Sequence, residues 1–531
     1  MLACVRTFAL EGLHTRAVSV EVDVRPGLPA FTVVGLGDAS VREARERVRA
    51  AIHNCGLEFP QRRITANLAP GHLPKVGTDF DLALACGVLA ASGQVPTRLL
   101  ARIALVGELS LSGAVRPCHA ALAIAQAARG AGLAAIVLAA RSADEAALVG
   151  DLGVAGVQTL SEAVDVLRAQ TAPGPPPAST DLDALAAPWL PVRGRAATAE
   201  RPDRTNRARA AAGADLSDVR GQETAVRAAL VAAAGGHNLL LRGPPGVGKT
   251  MVARRLPGIL PPLSSVEALE VTRIHALTGL RPPGALVTER PFRAPHHSIT
   301  AAGLVGGANP RMPGEAVLAH LGVLFLDELS EFARATLEAL RQPLEEGVVT
   351  IVRAAHATVA PARLMLVAAT NPCPCGLGTE DGRCRCTDAD LGRHRRRLSG
   401  ALMDRMDLVV DLERPDVRLL RDPAPLSSAQ AAAAVARARE RQASRAGTVG
   451  SVNARMPTRL LSEHTRLDHR AESVLARAYE RGMLSARAHD RVLRVARTLA
   501  DLDGRRAVSR EHVLGALALR RDVAGERGQA A

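Results

Sequence analysis

A glycine-rich run in the middle of the chain has the composition and the setting of a phosphate-binding loop. Leu239–Arg242 is predicted to be a short apolar strand, and a segment of helix-forming composition follows the run. Glycines let backbone N–H groups approach phosphate oxygens, and the start of a helix adds a favourable dipole. The run consists of Gly243, Pro244, Pro245, Gly246, Val247, Gly248, Lys249 and Thr250. This GxxxxGK[ST] spacing predicts that Lys249 reaches the terminal phosphates of ATP and that the Thr250 hydroxyl binds Mg²⁺.

Two adjacent carboxylates follow a second apolar run. Residues 323–328 are predicted to be a strand in which four buried apolar residues present Asp327 and Glu328 at its carboxyl end. One carboxylate at that position is suited to hold Mg²⁺ through water, and the other to polarise an attacking water. We therefore predict that Asp327 supports the metal and that Glu328 is the general base of ATP hydrolysis.

A polar residue also follows a third apolar run, residues 364–369. Asn371 lies two positions beyond that run and precedes Pro372. In isolation it would be interpreted as a turn residue. Here, however, it accompanies the phosphate-binding loop and the paired carboxylates. We therefore interpret Asn371 as a residue that orients water against the terminal phosphate.

The elements that position these residues divide the 531-residue chain into three ordered regions. Residues 1–168 are predicted to alternate strands and helices, residues 214–420 to form a parallel α/β domain, and residues 421–531 to form a helical bundle. Residues 169–213 combine Pro, Ala, Arg and Thr without apolar periodicity, which predicts a flexible linker. The fold class is therefore α/β. Because aromatic residues are only 2% of the chain, its cores must be built from Ala, Leu and Val.

The chain carries a formal net charge of +14. A basic excess favours a polyanionic partner such as nucleic acid, although a compositional preference for arginine has the same effect. Aromatic residues for base stacking are scarce, so contacts with DNA are predicted to go to phosphates. The sequence has no apolar run long enough to span a membrane and no signal-peptide core, which predicts a cytoplasmic protein.

Four of the eight cysteines lie close together in a CxC–x8–CxC pattern, formed by Cys373, Cys375, Cys384 and Cys386. In a cytoplasmic protein, such thiols are candidate ligands of one tetrahedral Zn²⁺. The spacing is tighter than the usual CxxC, so four reduced thiols in a loop are the alternative. The adjacent His296 and His297 are not predicted to bind a metal, because neighbouring side chains in an extended segment point to opposite faces.

Several segments in combination resemble the magnesium-chelatase-like AAA+ proteins of the YifB/ComM family. They are residues 27–36, 69–70 with 73–77, 294–298, 371–376 and 404–407. The resemblance extends over nearly the whole chain except the linker. It implies an AAA+ P-loop ATPase core with a C-terminal helical lid. It also implies a hexameric ring that acts as a branch-migration helicase on DNA.

The resemblance assigns roles to two arginines. Arg405 stands at the position of an arginine finger, which a neighbouring subunit supplies to stabilise charge on the terminal phosphate. Arg487 stands at the position of a sensor arginine, which reports the nucleotide state to the lid. Surface salt bridges are the alternative for both residues.

Two further parts of the predicted ATPase core are candidate pore elements. Residues 280–316 form a long insert that contains Arg311, and the residues around Arg353 predict a β-hairpin. In related helicases such elements point into the ring pore. Both arginines are therefore candidate contacts with DNA phosphates, and ordinary solvated arginines are the alternative.

Residues 1–168 resemble the Lon-protease-like fold. The position expected to hold the nucleophilic serine is Asp79, and the position expected to hold the lysine is Leu122. A Ser–Lys dyad needs both groups in contact. We therefore predict no peptidase activity and interpret this domain as a platform that forms the ring or contacts DNA.

The sequence thus favours an ATP-driven ring motor that acts on DNA. The competing hypothesis is a chelatase-type ATPase that remodels a protein partner. The two differ in whether DNA or a partner protein stimulates ATP hydrolysis. Both need ATP and Mg²⁺ as cofactors and a homo-oligomeric ring as the active form.

Overall fold

The described residues of the chain form two compact units. The computed structural model describes residues 1–169, 215–276, 278, 286–307, 313–353, 356–378, 384–397, 400–419 and 426–520, apart from a few isolated positions within these ranges. The first unit is drawn from Met1–Glu200 and Leu269–Leu286, and the second from Arg201–Ala268 and Val287–Ala531. The predicted linker, residues 169–213, lies outside the described residues except for Ala169. The predicted domain boundaries stay predictions.

The first unit is built on a mixed sheet. Its described strands are β1 (Leu2–Glu11), β2 (His14–Arg25), β3 (Ala30–Val34), β4 (Arg63–Ala69), β5 (Ile103–Leu105), β6 (Glu108–Leu109), β7 (Val115–Arg116), β8 (Ala135–Ala139) and β9 (Gly153–Val157). Seven of them form one sheet in the order β3-β4-β2-β1-β5-β8-β9. The pairs β1–β2 and β2–β4 are antiparallel, and the other neighbours are parallel.

Helices cover the sheet of the first unit. They are α1 (Ala39–Asn54), α2 (Asp81–Ala91), α3 (Ala121–Gly130), α4 (Ala140–Ala147) and α5 (Leu160–Arg168). Asp38 caps the start of α1 by accepting a hydrogen bond from the Val41 N–H at 2.9 Å. The apolar helix α2 is buried along its whole length. Gly87 permits this close packing, because an added Cβ would lie 2.7 Å from the Val22 side chain on β2.

The second unit contains a parallel sheet and a hairpin. Its described strands are β10 (Leu239–Arg242), β11 (Phe292–Arg293), β12 (Val323–Leu326), β13 (Val348–Arg353), β14 (His356–Pro361), β15 (Met365–Thr370) and β16 (Leu408–Asp411). Five of them form a sheet in the order β11-β12-β15-β10-β16, with every neighbouring pair parallel. The predicted hairpin is confirmed, because β13 and β14 pair antiparallel.

The remaining described α-helices follow one another along the chain between residues 223 and 518. They are α6 (Glu223–Gly235), α7 (Lys249–Ile259), α8 (Ser265–Ala276), α9 (Ala301–Val305), α10 (Glu315–Leu318), α11 (Arg334–Ala339), α12 (Arg341–Glu346), α13 (Asp388–Arg397), α14 (Gly400–Met403), α15 (Ser428–Ala446), α16 (Thr458–His464), α17 (His469–Glu480), α18 (Ala486–Leu502) and α19 (Arg510–Ala518). Buried Ala, Leu and Val side chains from the sheet, α6, α15 and α18 form one continuous core. The predicted α/β class is therefore confirmed.

Among the residues that the structure describes, no helix is both long and apolar enough to span a bilayer.

Candidate functional site

The glycine-rich loop joins the end of β10 to the start of α7 at the carboxyl edge of the parallel sheet. Gly246 and Gly248 have φ angles of +81° and +99°, which side-chain-bearing residues rarely adopt. At Gly243 an added Cβ would lie 2.4 Å from the Leu412 carbonyl oxygen. Backbone conformation and close packing therefore both require glycine here, as a loop that wraps a phosphate does.

Lys249 is the first residue of α7, and its ammonium group lies inside the loop. Its Nζ donates hydrogen bonds to the carbonyl oxygens of Gly243 at 2.5 Å and Pro244 at 2.8 Å, and to Asn371 Oδ1 at 3.0 Å. Burial lowers the pKa of Lys249, whereas the charges of Asp327 and Glu328 act to raise it. These three hydrogen bonds keep the ammonium group inside the loop. The phosphate oxygens of a bound nucleotide would compete with the three protein oxygens for the same N–H donors.

Thr250 and Asp327 meet between the loop and the end of β12. The Thr250 hydroxyl donates to Asp327 Oδ2 at 2.9 Å, and the Glu328 N–H donates to Asp327 Oδ1 at 3.0 Å. Hydroxyl and carboxylate oxygens are the ligand types that Mg²⁺ prefers. The donor set therefore fits the predicted Mg²⁺, with Thr250 and Asp327 as the residues that would hold it.

Glu328 has an unusual backbone conformation, with a φ of +52°. Left-handed backbone is uncommon for residues other than glycine and recurs at functional sites. More than half of its side chain, 58%, is exposed, and Oε2 lies 3.7 Å from His297 Nδ1. The carboxylate thus faces solvent beside an imidazole.

His297 is a contact of Glu328 that the sequence did not predict. The ring centroids of His296 and His297 lie 4.0 Å apart, and the His297 ring also contacts the Phe332 ring edge-on. The expectation that the two imidazoles point to opposite faces was therefore wrong. A turn replaces the extended backbone that it assumed, because the Ile299 N–H bonds to the His296 carbonyl at 3.0 Å.

Asn371 follows β15 and lies beside the phosphate-binding loop. Its side-chain oxygen accepts from Lys249, and its carbonyl oxygen lies 3.0 Å from His394 Nε2. Strands β10, β12 and β15 are neighbours in the sheet, so their carboxyl ends bring Lys249, Asp327 and Asn371 together. The chemical roles predicted for these residues stay predictions.

Arg405 and Arg487 belong to one positively charged group. Arg405 is only 5% exposed and forms an ion pair with Glu345 of α12. Burial lowers the pKa of Arg405, and the charges of three neighbouring arginines, Arg487 among them, lower it further. Arg487 itself is exposed near the start of α18. Arg405 thus pairs within its own chain here, and its predicted action on a neighbouring subunit stays a prediction.

Asp407 links the sheet to the C-terminal helices, a role that the sequence did not reveal. It is 7% exposed, accepts from the Asn238 N–H at 3.0 Å, and pairs with Arg491 of α18 at 3.0 Å and His237 at 3.6 Å. Burial acts to raise the pKa of Asp407, but the hydrogen bond and charge of His237 and the charge of Arg491 outweigh it, so the pKa is lowered. The only indication of Asp407 in the sequence was its position in segment 404–407, one of the segments that carry the family resemblance.

The two candidate DNA contacts cannot be placed in this geometry. Arg311 lies outside the described residues, and so does the side chain of Arg353 at the end of β13.

In the first unit, the Asp79 carbonyl accepts from the Gly107 N–H at 3.0 Å, and Leu122 is fully buried on α3. The predicted lack of peptidase activity stays a prediction.

The four predicted metal ligands converge after β15. One ligand atom from each of Cys373, Cys375, Cys384 and Cys386 lies within 4.8 Å of the others. The structure therefore brings together the two CxC pairs, which can hold a metal ion.

Comparison with known proteins places the chain in a family. The model described as magnesium chelatase, subunit ChlI, matches residues 215–419, its C-terminal model matches 425–520, and a model described as subunit ChlI of Mg-chelatase matches 20–142. An uncharacterized protein of Mycobacterium tuberculosis is 42% identical over 96% of this chain and 97% of its own length.

Two named relatives are similar over the same extent. YifB of Escherichia coli is 40% identical and the competence protein ComM of Haemophilus influenzae 39% identical, each over 98% of this chain and 97% of the relative. The chain therefore belongs to the magnesium-chelatase-like family that includes YifB and ComM.

Proposed function

We propose that this chain is an AAA+ ATPase that hydrolyses ATP to drive a ring-shaped motor on DNA. The observation that carries the ATPase part is the convergence of three strand ends at one edge of the parallel sheet. The loop lysine and threonine follow β10, the two acids follow β12, and Asn371 follows β15. This is the arrangement that phosphoryl transfer to water requires.

Each residue has one task in the proposed reaction. Lys249 binds the terminal phosphates, while Thr250 and Asp327 hold Mg²⁺, which when bound neutralises charge on the phosphates. Glu328 accepts a proton from the attacking water, and Asn371 orients that water. His297, 3.7 Å from the Glu328 carboxylate, positions the base.

The proposed active form is a hexameric ring. In it, Arg405 leaves Glu345 to reach the nucleotide of the neighbouring subunit, and Arg487 reports the nucleotide state from the helical lid, residues 421–531. Residues 1–168 form a Lon-protease-like platform without peptidase activity. Zn²⁺ in the four-cysteine cluster is part of the same proposal, and the motor works in the cytoplasm, where ATP is available.

A basic cavity in the C-terminal helices supports DNA as the partner. It has a volume of about 750 Å³ and is lined by more basic than acidic side chains. The arginines are Arg437, Arg441, Arg445, Arg466, Arg497, Arg505 and Arg506. The acids are Glu440, Glu463 and Asp501, and the last of these is paired with Arg445 at 2.8 Å. A surplus of guanidinium groups in a concave surface suits a phosphodiester backbone.

Salt dependence gives the DNA part a quantitative test. Five of the lining arginines, at positions 437, 441, 466, 505 and 506, are exposed. If each neutralises one phosphate of a single strand, the affinity falls about 100-fold between roughly 50 and 200 mM salt. The double variant R437A/R466A should lower the logarithmic salt slope by about 1.4.

The experiment measures the ATPase rate with and without single-stranded and forked DNA at two salt concentrations. Stimulation that fades at high salt, and that weakens in the double variant, is expected. The matched control is R459A/R470A, which removes two exposed arginines of the same helical region that do not line the cavity. An equal loss in both double variants would refute the cavity as the DNA contact.

A protein-remodelling ATPase is the second candidate. The match of residues 215–419 and 425–520 to the magnesium chelatase subunit favours it. Basal ATP hydrolysis that no DNA structure stimulates would favour this candidate over the DNA motor. A purified partner protein that raises the rate would then establish it.

A further inference from the structure

The four-cysteine cluster, Cys373, Cys375, Cys384 and Cys386, has the spacing of one tetrahedral metal site. The Sγ atoms of residues 373 and 375 are 3.3 Å apart, those of 375 and 384 are 3.5 Å apart, and those of 373 and 384 are 3.7 Å apart. A disulfide would bring two sulfurs to about 2.05 Å. Four thiolates around one Zn²⁺, at Zn–S distances of about 2.3 Å, lie roughly 3.8 Å apart. The observed Sγ–Sγ distances therefore fit thiolates around one metal ion and not a disulfide.

The surroundings of the first thiol support a metal-bound thiolate. Cys373 is 1% exposed, so this sulfur is removed from solvent. The backbone N–H of Gly378 donates to its Sγ at 3.3 Å. Hydrogen bonds of this kind orient ligands and stabilise their charge in metal centres. The site therefore has a backbone contribution in addition to its four ligands.

The first cysteine pair lies directly against the nucleotide site. Cys373 is two residues from Asn371, whose side-chain oxygen accepts from Lys249 Nζ at 3.0 Å. Gly376 approaches the phosphate-binding loop so closely that an added Cβ would lie 3.0 Å from Pro245 Cδ. The segment between Asn371 and Gly376 is thus packed on the loop that would wrap the phosphates.

The second cysteine pair leads into the helix that contacts Asn371 from the other side. Cys384 and Cys386 immediately precede α13, and His394 on that helix is 6% exposed. Its Nε2 lies 3.0 Å from the Asn371 carbonyl oxygen. A metal bound by both pairs therefore ties the end of β15 to the start of α13, the two elements that hold Asn371.

We propose that Zn²⁺ in the four-cysteine cluster is a structural ion that holds the nucleotide site in its active geometry, and we call this role the brace. The ion fixes Asn371 against Lys249 and keeps the loop that follows Asn371 packed on Pro245. The cysteines are positioning residues, since they act on the reaction through Asn371. Hydrolysis of ATP by this chain consequently depends on zinc, an inference that rests on the proposed ATPase function.

The test uses the full chain and measures metal content, ATP affinity and ATP hydrolysis on the same preparations. Elemental analysis is expected to find about one zinc per chain, as four ligands in one cluster require. In C375S and C386S the zinc content should fall, and kcat should drop by about 100-fold, the cost of a misplacement of roughly 1 Å at a reacting centre. The control C4S removes an exposed cysteine of the first unit and should keep both values.

Two further measurements keep the inference testable if the serine variants do not fold. Chelation of zinc from the folded wild type should lower kcat more than it raises KM, and added Zn²⁺ should restore it. Replacement by Co²⁺ should give the visible absorption of a tetrahedral thiolate site. Iron in place of zinc, or zinc release without loss of kcat, would overturn the brace.

The brace and the ATPase proposal fail in different ways. A wild type that binds one zinc per chain but hydrolyses no ATP would overturn the ATPase. A wild type that hydrolyses ATP at full rate without zinc would overturn the brace.

Discussion

Lys249→Ala should remove most of the affinity of this chain for ATP. The ammonium group has three oxygen partners within 3.0 Å, so its three donors already point into the loop. A hydrogen bond from a charged group contributes about 1.5–3 kcal/mol. Two such bonds to phosphate oxygens contribute on the order of 3–6 kcal/mol, and each 1.4 kcal/mol is about tenfold in affinity. We therefore expect ATP to bind at least about 100-fold more weakly.

The assay is a titration with a fluorescent ATP analogue in the presence of Mg²⁺. The matched control is Arg254→Ala, which removes one positive charge from an exposed position on the same helix, α7. Thermal unfolding of both variants checks that the loop still folds without the ammonium group. If the Lys249 and Arg254 variants bind ATP equally well, the phosphate-binding loop has been misassigned.

Two other predictions concern residues whose partners lie far away in sequence. Arg405→Ala should bind ATP normally but hydrolyse it about 10³-fold more slowly, and mixing it with Glu328→Gln subunits should restore part of the rate. A mixture with no recovery would argue against a finger that acts between subunits. Asp407→Asn should lower the free energy of unfolding by about 3 kcal/mol. The pKa of Asp407 is lowered on folding, so its stabilisation is complete above the ordinary value of 3.8 and disappears as pH falls through the lower folded value. Urea unfolding of the wild type and the variant should therefore converge at acid pH, and a constant difference would refute the assignment.

The conformation of the candidate nucleotide site could be predicted from the sequence because its parts are local. An apolar strand, a glycine-rich turn and a helix start follow one another within residues 239–250, and neighbouring residues determine each conformation. The predicted strand Leu239–Arg242 has the same bounds in the structure, and the predicted strand over residues 323–328 ends at Leu326. Asn371 lies at the same edge of the sheet because parallel strands align their carboxyl ends.

The surroundings of these residues could not be predicted in the same way. The His297 ring reaches Glu328 because a turn redirects a segment that was expected to be extended. The pairing of Arg405 with Glu345 depends on where α12 packs, and no pattern around either residue indicates the other.

The sequence by itself therefore determined the family, the α/β class and the glycine-rich turn between β10 and α7, since contiguous residue types and spacings encode all three. Only the tertiary structure decided which distant groups meet. It placed two CxC pairs within one ligand sphere beside Asn371 and buried Asp407 between the sheet and α18. Contacts of this kind arise when separate elements pack their apolar faces together, and the charged and sulfur-bearing side chains that they bring together are then fixed by the whole fold.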